Sequence, residues 1–252
     1  MEIVGKTVVV TGAGSGLGRA TAERMLSAGA KVALLDANEK RAEEVARGHD
    51  DTALVVRVDV TDPAQVESAV KAVKERFDAI HVCVNAAGAA TPGLVTDGEK
   101  PLPLEAFRKV IDVNLIGTFD VMRHCVTAMA ANDPVDGERG VVVNVSSGAW
   151  NQGQRGQAAY AASKAGIVGL TLPTARDVAR LGIRVTAIAP GLFDTAMADG
   201  LSPKVREGLE RMILHPPRLG RPEEFAALVQ HIVENKYLNA TTISLDAGVR
   251  MA

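Results

Sequence analysis

The sequence predicts an α/β protein built on a doubly wound parallel sheet, and two patterns carry this prediction. Short runs of β-branched residues alternate along the 252 residues with longer segments of helical periodicity. The strand runs are also apolar almost without interruption, as in VVVTG at residues 8–12. A parallel sheet has helices on both faces, so its strands need apolar side chains at nearly every position. We therefore expect about seven parallel strands with helices on both faces.

The predicted elements follow one another as strand–helix units. The first four units pair KTVVVTG with GLGRATAERMLSAG, KVALLD with EKRAEEVARG, ALVVRVDV with DPAQVESAVKAVKERF, and IHVCVNAAG with PLEAFRKVIDVNLIGTFDVMRHCVTAMA. The later strands are GVVVNVSS, IRVTAIAPG and TTISLDAG, and a helix carrying Tyr160 follows the first of them. No linker divides the chain, so we expect residues 1–252 to form a single domain. Residues 88–103 and 132–140 are predicted loops, because they are rich in glycine, proline and aspartate.

Composition and charge favour a globular protein that binds small molecules. Hydrophobic residues make up 47% and charged residues 23% of the chain, as in ordinary soluble proteins. The 28 basic and 30 acidic residues nearly balance, so no strong field favours nucleic acid or an anionic membrane as partner. The first residues lack a secretory signal pattern, and no apolar run reaches the roughly 18 residues of a membrane helix. We expect a cytoplasmic protein.

Neither the cysteines nor the histidines form a metal-binding pattern. Cys83 and Cys125 lie in apolar segments and do not form a CxxC pair, so we expect reduced core residues. The five histidines are scattered, with no pair at ligand spacing near a carboxylate. The sequence therefore predicts no metal site.

The turn after the first predicted strand has the composition of a dinucleotide-binding site. Its sequence, TGAGSGLGRA, places Gly12, Gly16 and Gly18 directly before a helix. Glycines allow a tight turn, which brings the amides of the helix N-terminus against a pyrophosphate. Such turns also occur without a ligand, so a second observation is needed. Asp36 supplies it, because a carboxylate at the end of the second strand accepts hydrogen bonds from the adenine ribose hydroxyls.

Asp36 also favours one cofactor over another. Its carboxylate would repel the 2′-phosphate of NADP, and no lysine or arginine at positions 13–17, 37 or 38 would neutralise that phosphate. We therefore predict NAD as the cofactor, bound to a Rossmann fold. The alternative role for Asp36 is to cap the next helix.

A tyrosine and a lysine four residues apart begin the helix after the fifth strand. Tyr160 and Lys164 lie on one helix face, with Cβ atoms about 6 Å apart. A tyrosine acts as a base near pH 7 only if its pKa of about 10 falls by about three units, and a nearby ammonium acts in that direction. Ser147, thirteen residues before Tyr160, is placed to hold a substrate oxygen. The alternatives are an exposed pair without chemistry, and Ser146 in place of Ser147.

Together these motifs make the chain resemble the short-chain dehydrogenase/reductase family. The resemblance rests on TGxxxGxG at 11–18, VDV at 58–60, NAAG at 85–88, DVNLIG at 112–117, and the spacing of Ser147, Tyr160 and Lys164. It implies Tyr160 as acid/base, Lys164 as a ribose binder that lowers the tyrosine pKa, and Ser147 as the group that polarises the substrate. Asn114 is implied as the anchor of a proton-relay water and as the residue that bends its helix.

The resemblance also assigns further contacts. Those to the cofactor are Gly12, Ser15, Gly16, Leu17, Gly18, Asp36, Asp59, Val60, Asn85, Ala86, Gly88, Tyr160, Lys164, Pro190, Gly191 and Thr195. Asp59 would face the adenine amino group, Val60 would offer its amide, and Pro190 with Gly191 would bind the carboxamide side of nicotinamide. The expected substrate residues are Ser147, Gln157, Tyr160, Leu192 and Phe193, although packing alone would also explain Leu192 and Phe193.

Longer stretches are similar to one branch of the family, the type II 3-hydroxyacyl-CoA dehydrogenases, which include hydroxysteroid-oxidising members. They include GQAAYAASKAGIVGLTLPTARDVA, IRVTAIAPGLFDT and RLGRPEEFAALVQHIVEN. Pro173, in the similar stretch LTLP, is a mark of this branch. A proline should kink a long helix, so its presence there is not something that a helix favours. Residues 89–103 and 148–156 depart from the branch. The similarity implies NAD-dependent conversion of (S)-3-hydroxyacyl-CoA to 3-oxoacyl-CoA, within fatty acid metabolism.

Other functions fit the sequence less closely. A steroid or other secondary-alcohol dehydrogenase would use the same site. A 3-oxoacyl carrier-protein reductase is disfavoured because those enzymes usually use NADPH, which Asp36 opposes. A nucleotide sensor without turnover is disfavoured by the intact set of four catalytic residues. Family members are commonly tetramers that use the helices around Asn114 and Tyr160, so the resemblance implies a homotetramer.

Overall fold

The computed structural model describes residues 1–195 and 203–250, which contain a seven-stranded sheet. The strands are β1 Thr7–Thr11, β2 Lys31–Asp36, β3 Ala53–Arg57, β4 Val82–Asn85, β5 Gly140–Val145, β6 Ile183–Pro190 and β7 Thr242–Leu245. Their order in the sheet is β3-β2-β1-β4-β5-β6-β7, and all neighbours pair in parallel. The predicted doubly wound parallel sheet is confirmed.

Helices cover both faces of this sheet. The α-helices are α1 Gly16–Ser27, α2 Glu39–Ala46, α3 Pro63–Phe77, α4 Leu104–Ile111, α5 Thr118–Ala130, α6 Ala149–Gln152, α7 Ala158–Val178, α8 Pro203–Glu210 and α9 Pro222–Glu234. A π-helix spans Asp112–Gly117, and a 3-10 turn at Ala179–Leu181 follows α7. Within the described ranges, no helix is long and apolar enough to cross a membrane.

Alternate strand residues enter two hydrophobic clusters, one on each face of the sheet. Val8 and Val10 pack in the cluster that contains Phe225 of α9, whereas Val9 packs with Val73 of α3 on the other face. All residues of β1 are buried. Burying one such side chain contributes about 1.5–3 kcal/mol, so both clusters favour uninterrupted apolar strands. This is the physical reason for the strand pattern in the sequence.

The predicted helix between β4 and β5 is divided by the π-helix. The side chain of Asn114 lies inside this segment and is completely buried. A Cβ on Gly117 would lie 2.8 Å from a methyl carbon of Val60, so the helix approaches the β3–α3 connection closely here. A π-helical turn inserts an extra residue and redirects the axis of a helix. The bend implied for Asn114 therefore has a structural counterpart.

Smaller differences from the sequence prediction concern ends and short helices. The predicted loop 132–140 ends one residue earlier, because Gly140 already belongs to β5. The short helices α6 and α8 have no counterpart in the sequence prediction.

Candidate active site

A cleft of about 760 Å³ lies at the carboxyl ends of the central strands. It extends from Asp36 at the end of β2 to Phe193 after β6. The strand order reverses between β1 and β4, and ligands of doubly wound sheets bind at such a reversal. The fold therefore places the cleft where a dinucleotide is expected.

Two glycines of the turn after β1, Gly12 and Gly18, leave no room for a side chain. Gly12 has a φ of +64°, and a Cβ there would lie 2.9 Å from the Cα of Ala87. A Cβ on Gly18 would collide with the carbonyl oxygen of Gly12. The helix α1 begins at Gly16, and its N-cap, Ser15, makes no side-chain cap hydrogen bond. The predicted contacts that line this end of the cleft are Gly12, Ser15, Gly16, Leu17 and Gly18.

These features fit the pyrophosphate of a dinucleotide. The amides of the first turn of α1 have no partners inside the helix, and the helix dipole places partial positive charge there. The Ser15 hydroxyl, free of a cap hydrogen bond, lies in the same lining. Ser15 and the amides of α1 would hold the two phosphates.

Thr11 joins this turn to the neighbouring strand, a role that the sequence analysis missed. Its hydroxyl oxygen accepts hydrogen bonds from the amides of Ala86 and Ala87, at 3.1 and 3.0 Å. The signal in the sequence is the threonine that ends β1, directly before Gly12. Thr11 thus aligns the ends of β1 and β4 below the cleft.

Asp36 lies at the adenosine end of the cleft. One carboxylate oxygen accepts a hydrogen bond from the amide of Gly14 and the other from the amide of Asn38, both at 2.8 Å. The N-cap of α2 is Asn38, so the alternative role of Asp36 as the helix cap is wrong. The predicted contacts Asp59 and Val60 line the same end. The two amides fix the Asp36 carboxylate beside the expected ribose position.

Ser147, Tyr160 and Lys164 line the other half of the cleft together. Ser147 lies between β5 and α6, whereas Tyr160 and Lys164 lie in the first turns of α7. The Ser147 hydroxyl accepts a hydrogen bond from the Ala149 amide at 3.2 Å, and it acts to lower the pKa of the Tyr160 phenol. The Ser146 hydroxyl donates instead to the carbonyl of Lys164 at 2.8 Å. The geometry therefore favours Ser147 over Ser146 as the hydroxyl beside Tyr160.

Burial changes the ionisation of both Lys164 and Tyr160. It lowers the pKa of Lys164 to about 8. The Lys164 Nζ donates to the carbonyl of Val145 at 2.8 Å and lies 5.7 Å from the centre of the Tyr160 ring. Burial raises the pKa of Tyr160, and the hydrogen bond with Ser147 opposes this increase. Without a bound cofactor, the pKa of Tyr160 is thus raised and not lowered as we expected. The reason is that burial removes water from the phenolate, and this effect outweighs the others.

Two predicted site residues have side chains outside the cleft lining. The Asn114 Oδ1 accepts from the Ala89 amide at 2.7 Å, and its Nδ2 donates to the Ala89 carbonyl at 2.9 Å. The same Nδ2 donates to the Ser163 hydroxyl at 3.0 Å. Asn85 donates to the Asn144 side chain at 2.8 Å, within the sheet. The Asn85 side chain thus joins β4 to β5, and a contact of this residue with the cofactor stays a prediction.

The remaining predicted cofactor contacts lie at the strand ends beside Ser147, Tyr160 and Lys164. Those that line the cleft are Ala86, Gly88, Pro190, Gly191 and Thr195. The carbonyl of Pro190 accepts a hydrogen bond from the Gly148 amide at 2.8 Å, which links β6 to the segment of Ser147. A Cβ on Gly16 would lie 3.5 Å from the Thr195 methyl carbon. Thr195 is thus close to the start of α1, where the pyrophosphate is expected.

The predicted substrate residues Gln157, Leu192 and Phe193 also line the cleft. The Phe193 ring packs edge to face on Phe225, with ring centres 6.3 Å apart. A Cβ on Gly220 would lie 2.8 Å from the Phe193 ring. Phe193 therefore lines the cleft and also packs in the core, and its contact with a substrate stays a prediction.

Sequence reasoning missed several lining residues at the substrate end. Gln154 lines the cleft, and its amide donates to the Gln157 side chain at 2.9 Å. Leu209 and Leu219 line it as well. Gln154 lies in the segment 148–156, which departs from the family pattern. Leu209 belongs to no recognised motif, and Leu219 lies in the family-like stretch RLGRPEEFAALVQHIVEN without having been assigned to the site. Only the tertiary structure brings these side chains to the cleft.

Doubly wound sheets with a glycine-rich first turn bind dinucleotides, and a hydroxyl–phenol–ammonium set beside the nicotinamide position suits hydride and proton transfer to an alcohol oxygen. A family model for short chain dehydrogenases matches residues 6–206, and the chain belongs to this family. It is therefore an oxidoreductase that uses a nicotinamide cofactor.

Particular relatives narrow the similarity further. The chain is 48% identical over 246 residues to 3-hydroxyacyl-CoA dehydrogenase type-2 of Drosophila melanogaster, covering 96% of each protein. It is 45% identical to the human protein of that name, covering 99% of this chain and 97% of the relative. The crystal structure of 3-hydroxyacyl-CoA dehydrogenase type-2 from Mycobacterium avium superposes with a TM-score of 0.94 at 33% identity, covering 98% and 97% of the two chains.

Proposed function

We propose that this protein is an NAD-dependent dehydrogenase that interconverts (S)-3-hydroxyacyl-CoA and 3-oxoacyl-CoA. The observation that carries the proposal is a single cleft lined by Asp36 at one end and by Ser147, Tyr160 and Lys164 at the other. The substrate class is supported by relatives of that activity, which are 45–48% identical over almost the whole chain. NAD is supported by the carboxylate of Asp36, which would repel a 2′-phosphate.

The proposed chemistry assigns one task to each side chain. In ketone reduction, Tyr160 donates its phenolic proton to the substrate oxygen as the adjacent carbon gains a hydride; in oxidation the phenolate takes that proton back. Ser147 donates a hydrogen bond to the same oxygen. The ammonium of Lys164 favours the phenolate and binds the ribose hydroxyls. The nicotinamide ring supplies or accepts the hydride when the cofactor is bound.

Asn114 is given a positioning role in this proposal. Its carboxamide makes three hydrogen bonds to Ala89 and Ser163, so both hydrogens of its amide group are engaged. The hydroxyl of Ser163 donates in turn to the carbonyl of Tyr160 at 2.7 Å. Asn114 thus ties the end of β4 to the turn that carries the tyrosine.

The proposal includes one domain, a cytoplasmic location and a homotetramer. The location is supported by Cys83 and Cys125, which are free and buried. The tetramer is supported by apolar side chains exposed near the start of α5 and on α7. Ile116 is 54% exposed, Phe119 49% and Leu172 41%. Contact between copies of the chain would remove this apolar surface from water.

Reduction of acetoacetyl-CoA by the purified protein tests the proposal directly. With NADH the protein should oxidise the cofactor in proportion to added substrate, whereas Tyr160→Phe should lose at least about 99% of kcat, as expected for a missing general acid. The variant should still bind NADH with a similar dissociation constant, because the phenolic hydroxyl alone is removed. Equal rates for both proteins would contradict the catalytic assignment. No turnover of acetoacetyl-CoA by the unaltered protein would contradict the substrate class.

A further inference from the structure

Arg41, in the first turn of α2, lies beside the carboxylate on which the proposed NAD preference rests. A Cβ on Gly14 would lie 2.8 Å from the Cβ of Arg41 and 3.1 Å from the Oδ2 of Asp36. Both distances are measured from the same position. The Arg41 Cβ and the Asp36 Oδ2 are therefore separated by no more than the sum of 2.8 Å and 3.1 Å. The stem of Arg41 thus starts within reach of the expected adenine ribose. Positions 13–17, 37 and 38 hold no lysine or arginine, and Arg41 lies just outside them in the chain.

Arg41 carries a charge that no described residue neutralises. Its side chain is exposed, and within residues 1–195 and 203–250 no hydrogen bond or ion pair engages its guanidinium. Asp36 is held instead by the backbone amides of Gly14 and Asn38. The adenosine end therefore carries an anion in a fixed position and an unpaired cation on a flexible stem close to it.

We propose that Arg41 is a second determinant of cofactor specificity, and that it gives this site a latent affinity for the 2′-phosphate of NADP. The inference rests on the proposed function, in that adenosine binds at Asp36. Asp36 repels a 2′-phosphate, whereas the planar guanidinium of Arg41 attracts it. NAD is preferred because the carboxylate is adjacent to the ribose and fixed. When that carboxylate is neutralised, Arg41 is left unopposed.

Lys40 offers a matched comparison within the same helical turn. It is exposed and carries the same charge as Arg41. The atoms nearest to a Cβ on Gly14 belong to Arg41, Asp36 and Ala42, and none belongs to Lys40. A general effect of positive charge would be the same for both residues, whereas a specific contact with the phosphate would be lost only with Arg41.

Binding of NADH and NADPH, measured by titration calorimetry without substrate, tests the proposal. Asp36→Asn should bind NADPH at least about tenfold more tightly than the unaltered protein does, because the carboxylate no longer repels the 2′-phosphate that Arg41 attracts. Adding Arg41→Gln should remove this gain, and adding Lys40→Gln should leave it in place. In the unaltered background, Arg41→Gln should weaken NADPH binding about tenfold and change NADH binding less than about threefold.

Two outcomes would overturn the proposal. One is equal NADPH affinity of Asp36→Asn with and without Arg41→Gln, and the other is equal loss from Lys40→Gln and Arg41→Gln. Asp36→Ser serves as a second neutral variant if Asp36→Asn fails to fold, and the single Arg41→Gln comparison needs neither variant. Failure of the unaltered protein to bind NADH would contradict the proposed function itself. Normal NADH binding without an effect of Arg41 would contradict this inference alone.

Discussion

Lys164 shows at the scale of one residue how burial and chemistry oppose each other. The side chain is 5% exposed, and its pKa falls to about 8 because water is excluded from the ammonium. The four-residue spacing to Tyr160 was readable from the sequence, since it depends only on the helical period. The burial was not readable, because α7 is covered by segments distant in the chain. The catalytic position therefore costs folding free energy at neutral pH.

Replacing Lys164 with methionine should stabilise the protein while abolishing its activity. The lysine pKa falls from 10.5 to about 8 on folding, so the protonated form costs the fold about 3 kcal/mol below pH 8. The variant also loses the hydrogen bond from Lys164 to the Val145 carbonyl, which lowers the expected gain in stability by about 1 kcal/mol. We expect urea unfolding at pH 7 to show a net gain of about 2 kcal/mol. Above about pH 10.5 the lysine is neutral in both states, so the gain should be replaced by a net loss of about 1 kcal/mol from the missing hydrogen bond.

The control for this change is Lys71→Met on α3, where the lysine side chain is 76% exposed. It should alter the free energy of unfolding by less than about 0.5 kcal/mol. Both variants should be measured at one protein concentration, since assembly contributes to apparent stability. A clear loss of stability in Lys164→Met would contradict this prediction. It would show that the contacts of the ammonium in the folded protein outweigh the cost of its burial.

The pH dependence of ketone reduction should follow Lys164. Reduction needs Tyr160 protonated, and the raised pKa of Tyr160 keeps it so throughout the neutral and mildly alkaline range. It also needs the charge of Lys164, which is lost as the pH rises through about 8. We expect kcat/KM for acetoacetyl-CoA to be level below about pH 8 and to fall above it. Lys164→Arg keeps its charge, so any residual activity should not fall there, and a level profile of the unaltered protein to pH 10 would contradict this assignment.

At the scale of elements, spacing predicted the strands and the long helices, but close approaches between elements were not visible. The divided helix around Asn114 is an example, because the π-helix depends on contacts with Ala89 and Ser163 from other parts of the chain. The helix α6 is another, because four residues provide too short a window for a periodic pattern. The close approach of α1 to the end of β1 is a third example, because it depends on where the Gly12 carbonyl lies relative to Gly18.

Two glycine-to-alanine changes in helices should have opposite effects. Gly18→Ala places a methyl group against the Gly12 carbonyl oxygen, so α1 must shift from β1. We expect NADH binding at least about tenfold weaker and a loss of about 2 kcal/mol in unfolding free energy. Gly169 in α7 is exposed and has nothing within 4 Å of a Cβ, so Gly169→Ala should gain up to about 1 kcal/mol. Similar results for both variants, by calorimetry and urea unfolding, would contradict the close joint at Gly18.

The whole molecule leaves an apolar surface that one chain does not cover. Phe119→Lys on α5 should reduce the mass measured by light scattering from that of the proposed tetramer to that of a smaller species, because the charge would have to be buried between copies. Val4 is 76% exposed and lies in the N-terminal segment, so Val4→Lys is the control that should keep the full mass. An unchanged mass in Phe119→Lys would exclude this face as a contact between copies.

The sequence by itself determined the parallel α/β architecture, the dinucleotide turn and the spacing of Ser147, Tyr160 and Lys164. These features depend on residue type and on periodicity within short segments, so they can be read along the chain. Only the tertiary structure decided that the Ser146 hydroxyl is engaged by Lys164, and that Asn85 is withdrawn into the sheet. It also decided the direction of the Tyr160 pKa, because burial and contacts between distant segments exist only once the chain has folded.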